Sequence, residues 1–282
     1  MNQLNSDFTP QKIFDGLNPQ QQEAVQHDQG PLLIVAGAGT GKTKVITNRI
    51  AYLIASKKAK PDEILAVTFT DKAAAEMEER VDLLLPYGFA AVWISTFHAF
   101  GDKILREYAL DLGMSTDFQV LSRPEQIIFF KERLFEFPLK YYRPLGNPDK
   151  FIDAMVGLFS RTKDEDVVPE EYLAYANNLK MQSEADPENQ ELAELAAQQM
   201  ELAQTYLEYQ KQLTAHGKVD FGDLISLVLK LFREHPLALQ QIQERYKYVL
   251  VDEFQDTNYA QFQLLQLLVQ NHKNITVVAD DD

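Results

Sequence analysis

Short apolar runs rich in β-branched residues recur along the chain at residues 32–36, 64–69, 92–96, 248–251 and 275–279. Runs of this kind, bounded by polar or turn-forming stretches, predict buried strands. Helical spacing follows several of them, over residues 43–56 and 71–85, and strands alternating with helices predict a mostly parallel sheet covered on both faces. From about residue 110 to 215 the strand signals vanish. Amphipathic helices replace them, with Leu192, Leu195, Leu202, Tyr206, Tyr209 and Leu213 keeping to one stripe. The run Tyr141-Tyr142-Arg143-Pro144-Leu145-Gly146-Asn147-Pro148 reads as a loop between two such helices. The expected fold class is α/β, with residues 1–109 and 216–282 forming one sheet domain and an all-helical subdomain, 110–215, inserted at a surface loop.

Composition changes this picture little. The 282 residues are 45% hydrophobic and 24% charged, as in an ordinary folded domain. There is no cysteine, which excludes disulfides, thiolate metal sites and cysteine nucleophiles and fits a reducing compartment. Residues 1–10 are polar and no apolar run approaches the roughly 20 residues that span a bilayer, so the expectation is a cytoplasmic protein without a membrane partner. The net charge of −15 argues at first against a nucleic-acid partner. Its distribution weakens that argument. Residues 161–210 hold twelve acidic side chains against three basic ones, whereas residues 31–110 hold nine against ten. The acidity belongs to one helical stretch and reads as a solvated face.

Candidate chemistry concentrates at two strand ends. Ala36-Gly37-Ala38-Gly39-Thr40-Gly41-Lys42-Thr43, followed by Lys44, lies between the first apolar run and a helical pattern, the setting of a phosphate-binding loop. Gly37, Gly39 and Gly41 let the backbone curl so that its N–H groups converge on phosphate oxygens, and the helix dipole adds to the attraction. Lys42 is expected on the β- and γ-phosphates and Thr43 on Mg²⁺, with ATP as the nucleotide. Ala36 stands where the general pattern has Gly, a small residue in either case. The run Tyr248-Val249-Leu250-Val251 ends in Asp252-Glu253. In an open α/β sheet ligands gather at the carboxyl ends of strands, so Asp252 is expected to hold the metal and Glu253 to deprotonate the attacking water.

These segments resemble the N-terminal part of the UvrD/Rep/PcrA group of superfamily 1 DNA helicases. Leu17-Asn18-Pro19-Gln20-Gln21-Gln22-Glu23-Ala24-Val25 is similar to that family's Q motif, which implies adenine recognition by Gln21. Asp252-Glu253-Phe254-Gln255-Asp256-Thr257-Asn258 resembles its motif II, the Gln-Asp after Asp-Glu being distinctive. Val67-Thr68-Phe69-Thr70-Asp71-Lys72-Ala73 and Ile94-Ser95-Thr96-Phe97-His98-Ala99-Phe100 resemble motifs Ia and Ib, and Val219-Asp220-Phe221-Gly222-Asp223-Leu224-Ile225 a further strand-contacting segment. The resemblance implies DNA contacts from Thr68, Phe69, Thr70, Lys72, Thr96, His98 and Phe221. Phe69 is either a stacking platform for unpaired bases or a core aromatic capping its strand, and His98 either a phosphate ligand or an internal histidine. The sequence departs from the family pattern in having Asp71 for Asn, Gly222 for Asp and Ala279 for Gly.

The resemblance further implies a RecA-like P-loop NTPase domain with its helical insert, ATP and Mg²⁺ as cofactors, and single-stranded DNA and single/double-strand junctions as partners. It implies 3′ to 5′ movement, and a setting in DNA repair or replication with repair proteins as partners. Val277-Val278-Ala279-Asp280-Asp281-Asp282 resembles the start of motif III, and the family's second RecA-like domain is not among these residues. The 282 residues alone are therefore expected to hydrolyse ATP weakly. A nucleotide-dependent binding module without unwinding, and the motor part of a RecB-like helicase-nuclease, share the same motifs.

Overall fold

The computed structural model describes residues 10–37, 39–85 and 92–280, with side chains from residue 12 onward. Among the described residues there are seven strands: β1 (Leu32–Val35), β2 (Ile64–Thr68), β3 (Trp93–Thr96), β4 (Gln119–Leu121), β5 (Lys218–Asp220), β6 (Tyr248–Val251) and β7 (Ile275–Ala279). Among the described residues there are eleven α-helices: α1 (Pro19–Gln26), α2 (Lys42–Ala55), α3 (Asp71–Leu84), α4 (Phe97–Glu107), α5 (Arg123–Glu132), α6 (Ile152–Asp164), α7 (Pro169–Ala185), α8 (Gln190–Ala215), α9 (Asp223–Glu234), α10 (Pro236–Arg245) and α11 (Tyr259–Val269). All five expected strands form, and they pair in parallel in the order β1-β7-β6-β2-β3. The chain divides into two compact units, one of residues 1–100, 232–257 and 261–282 and the other of residues 101–231 with 258–260.

In the first unit, Ile64 and Ala66 of β2, Tyr248 and Leu250 of β6 and Val278 of β7 bury against Ile46, Ile50 and Leu53 of α2 and Met77 and Val81 of α3. Strand side chains alternate, so Leu65, Val67, Val249 and Val251 point to the opposite face, where they too are buried. A sheet covered on both faces explains why its central strands read as continuous apolar runs. Arg49 ties the edge of this unit together: its buried guanidinium donates to Thr276 Oγ1 at 2.9 Å and to the carbonyl oxygen of His27 at 2.6 Å.

The second unit contains two strands where none were expected. β4 and β5 pair in parallel, Gln119 opposite Lys218 through Leu121 opposite Asp220. Three residues are too few to display a period, which is why the sequence pattern does not announce them. The expected loop between α5 and α6 is pinned by one carboxylate: Glu201 accepts the backbone N–H groups of Lys140, Tyr141 and Tyr142 at 2.7, 3.0 and 2.9 Å. Phe130 stacks on Phe137 and Phe159 on Tyr206 inside the core of this unit. The expected stripe on α8 holds only in its second half, since Leu202, Tyr206, Tyr209 and Leu213 are buried while Leu195 is 42% exposed. No helix among the described residues is long and apolar enough to cross a membrane.

Lys163 is buried among the same helices and donates to Asp220 at 2.7 Å and to Asp223 at 2.8 Å. Burial works against its charge, but the two carboxylates outweigh it and hold Lys163 above the ordinary lysine range. The same geometry explains Gly222. A Cβ there would stand 2.7 Å from Lys163 Cδ and 2.9 Å from its Cβ, so the Asp usual in the resembling family would displace the lysine stem.

One ammonium shared by two carboxylates leaves an uncompensated buried charge. Burial, then repulsion from Asp220, pushes Asp223 up to about 6. The folded state therefore holds that proton more tightly than the unfolded chain. The contribution is fully present below the unfolded carboxylate value near 3.8 and is lost as pH rises through about 6. Urea midpoints at pH 5 and pH 7.5 are expected to fall with pH in the wild type, and to fall less in Asp223→Asn. Equal falls in the two proteins would refute this assignment.

Candidate nucleotide site

β1 carries the phosphate loop at its carboxyl end and β6 carries the acidic pair, and only β7 separates them in the sheet. The loop conforms to its glycines. Gly39 (φ 76°) and Gly41 (φ 92°) lie in the left-handed region that side chains disfavour, and a Cβ on Gly39 would project into open space. Gly41 is the N-cap of α2 and supplies no side-chain acceptor, so the first turn of that helix presents its positive end to the loop. Thr40 closes the loop internally, its Oγ1 donating to the Gly37 carbonyl at 2.7 Å. Ala38, expected in the same cradle, lies outside the described residues.

Lys42 is almost fully buried, and its Nζ donates to the carbonyl oxygens of Ala36 at 3.0 Å and Gly37 at 3.4 Å. It also pairs with Asp280, the first residue beyond β7. Across the cleft, Thr43 Oγ1 donates to Asp252 Oδ2 at 3.2 Å. Burial and the neighbouring charge of Glu253 hold Asp252 above the ordinary carboxylate range, opposed by the Thr43 hydrogen bond and by Lys42. A hydroxyl and a desolvated carboxylate side by side are a hard-oxygen donor pair that a divalent cation would satisfy. Glu253 adopts φ 54°, a conformation that costs a non-glycine residue on the order of 1–3 kcal/mol and recurs at functional sites. Its carboxylate accepts from Gln255 Nε2 at 2.6 Å.

Gln21 lies beside the loop. It completes a capping box with Asn18, accepting the Asn18 N–H at 2.9 Å, and donates through Nε2 to the Thr40 carbonyl at 3.0 Å. Asn18, Gln21, Val35, Gly37, Thr40 and Lys42 line a cleft of about 300 Å³. Lys44 is turned from it, its ammonium donating to the Asp15 and Gly16 carbonyls at 3.0 Å each, so its place at the site is limited to the first turn of α2.

The model of the UvrD/REP helicase N-terminal domain matches residues 17–282. The chain belongs to this family. It is 40% identical over 276 residues, 98% of its length, to the ATP-dependent DNA helicase PcrA of Bacillus subtilis, and covers 34% of that protein. It is 41% identical over 277 residues, 96% of its length, to the probable DNA helicase II homolog of Rickettsia felis, covering 38% of it. The chain thus spans a little over a third of the length of the curated relatives it matches.

The five-stranded parallel sheet is that of a RecA-like helicase domain, and the segments that resemble motifs Ia and Ib lie at the carboxyl ends of β2 and β3. Phe69 follows β2 and is 44% exposed, so it is not a core residue. Thr70 is exposed and N-caps α3, its Oγ1 accepting the Ala73 N–H at 3.1 Å, and Lys72 is exposed on the first turn of that helix. Thr68 is fully buried, and its hydroxyl has no hydrogen-bond partner among the described residues, so it presents nothing to the surface in this arrangement. Thr96 is buried as well, its Oγ1 accepting the Ala99 N–H at 3.2 Å at the start of α4. Asp71, which departs from the family pattern, begins α3, where a negative charge suits the helix dipole. In the other unit, Phe221 follows β5 and is 51% exposed.

Sequence reasoning missed Asp280 and Gln255 as members of the site. The signal that would have found them is the strand order, which places the end of β7 between the other two loops. His98 is half-buried on the first turn of α4. Burial holds it below the ordinary histidine value of 6.5, while the charge of Asp71 opposes the shift. An NMR titration is expected to place its midpoint below 6.5, and Asp71→Asn to move it lower still. A midpoint at or above 6.5, or no response to the Asp71 substitution, would contradict this environment.

Proposed function

We propose that the chain is the ATP-binding and DNA-contacting first RecA-like domain of an ATP-dependent 3′ to 5′ DNA helicase, with residues 110–215 as its helical insert. The observation that carries the reading is the juxtaposition of Lys42 with the Thr43–Asp252 pair at the carboxyl ends of β1 and β6. A buried cation beside a glycine cradle fits polyphosphate, and the hydroxyl–carboxylate pair fits Mg²⁺. The names of the relatives, ATP-dependent DNA helicase PcrA and DNA helicase II homolog, support the same activity.

In this reading Gln21 faces the adenine, the loop N–H groups and Lys42 hold the phosphates, and Thr43 and Asp252 hold the metal. Bound Mg²⁺ would supply positive charge to the phosphate oxygens. Glu253 orients and deprotonates the attacking water, and the catalytic roles of Lys42 and Asp252 are electrostatic. Positive charge opposite the γ-phosphate, which related enzymes supply from arginines at rate gains of ~10³–10⁵, is assigned by the resemblance to a second RecA-like domain. Strand contact falls to Phe69, Thr70, Lys72 and Phe221, with Thr96 and His98 near the sheet edge. An exposed aromatic stacks on any base, which suits movement along single strands and junctions regardless of sequence.

Lys42→Met is expected to weaken Mg·ATP binding by about a hundredfold or more while leaving the unfolding free energy within roughly 1 kcal/mol of wild type, since the buried stem is kept and only the ammonium is removed. Calorimetric titration measures the first and chemical denaturation the second. Unchanged ATP affinity would remove the basis of the proposal.

Phe69→Ala is expected to cost about 1–3 kcal/mol in single-stranded DNA affinity, roughly 5- to 150-fold, equally for mixed and homopolymeric strands. Fluorescence anisotropy over a salt series tests it. A loss confined to one base composition, or none at all, would count against a stacking role.

A further inference from the structure

Resting on the nucleotide reading above, we infer that Asp280 is a resident counter-anion for Lys42 that the terminal phosphates of an incoming nucleotide replace. Gln255 is the positioning residue through which this exchange reaches Glu253. An ammonium has three donors, and those of Lys42 meet the Ala36 carbonyl, the Gly37 carbonyl and the Asp280 carboxylate. A phosphate oxygen must displace one of them. The two carbonyls are neutral and belong to the loop that would hold the phosphates. The carboxylate alone carries the same sign of charge as the newcomer, so repulsion selects it for displacement. Its exposure fits that role, because the Asp280 side chain is 28% exposed against 8% for Lys42. Water can receive the carboxylate when it leaves, whereas the ammonium never goes without an anion.

The consequence travels through one amide. The Asp280 backbone N–H donates to Gln255 Oε1 at 3.1 Å, and Gln255 Nε2 donates to Glu253 Oε2 at 2.6 Å. The same side chain thus grips the end of β7 and the carboxylate assigned to water activation. Glu253 sits in the left-handed backbone region, so its orientation depends on such ties rather than on a relaxed local conformation. Moving Asp280 off Lys42 shifts the anchor of Gln255 and frees or re-aims Glu253. With Asp280 on Lys42, Gln255 holds Glu253 aside, and a polyphosphate that replaces Asp280 releases it.

The test uses the 282-residue chain and binding rather than turnover. A fluorescent ATP analogue and inorganic triphosphate are titrated into wild type and Asp280→Asn, with urea denaturation confirming that both fold. Removing the competing charge is expected to tighten binding of both ligands by about tenfold and to leave adenosine binding unchanged. In wild type labelled with ¹⁵N, the side-chain amide signal of Gln255 is expected to move on adding inorganic triphosphate and to stay in place on adding adenosine. Equal or weaker binding by Asp280→Asn overturns the counter-anion role, and a stationary Gln255 signal at saturating triphosphate overturns the relay. No binding of either phosphate ligand to wild type overturns the nucleotide reading itself, and the inference with it.

Discussion

One buried ammonium that cannot be left without an anion organises the carboxyl edge of the five-stranded sheet. Lys42 stands at the start of α2 with its aliphatic stem covered and its charge directed at the cleft. Desolvating a lone ammonium costs several kcal/mol, so whatever occupies the cleft must answer that charge. The phosphate loop supplies carbonyl oxygens and β7 supplies Asp280. The same requirement suits the cleft to an anion. A cradle of glycines and a helix terminus would be a turn like many others without the lysine inside it.

The second unit solves the same electrostatic problem in the opposite way. Lys163 is enclosed by Asp220 and Asp223, whose side chains are almost wholly buried, so no solvent-facing partner stands ready to leave. Gly222 is the steric counterpart of that arrangement, because the stem of the lysine lies where a side chain would be. Lys163 holds strand and helices together, whereas Lys42 has one partner with access to water. Burial of the anion, more than the length of the ion pair, separates a permanent bridge from an exchangeable one.

Much of the fold was legible along the chain. The central strands β2 and β6 read as continuous apolar runs because both of their faces are buried, whereas on the edge strand β1 Leu33 and Val35 are more than half exposed. β4 and β5 show no such run, since each is three residues long and drawn from Gln119-Val120-Leu121 and Lys218-Val219-Asp220, which no periodic template distinguishes from a loop. The α8 stripe was half right for a related reason. Helical spacing says which residues share a face, not how far a neighbouring helix extends along it, and Leu195 lies where that cover ends. Phe69 and Thr68, both expected from the resemblance to touch DNA, are adjacent in sequence and opposite in fate, because successive side chains at a strand end point to opposite sides.

The sequence by itself determined the cradle, the acidic pair and the parallel sheet that presents them. Glycine spacing, a strand before and a helix after are local properties, and they act over a few residues of contiguous chain. Tertiary structure decided which loops meet. The order β1-β7-β6 is a long-range choice, since Lys42 and Asp280 stand 238 positions apart in the chain. Only that order puts Asp280 against Lys42 and lets Gln255 reach both Asp280 and Glu253. An aspartate after a strand is an unremarkable residue in one dimension. It becomes a counter-charge because the strand it follows is threaded between the two that carry the site.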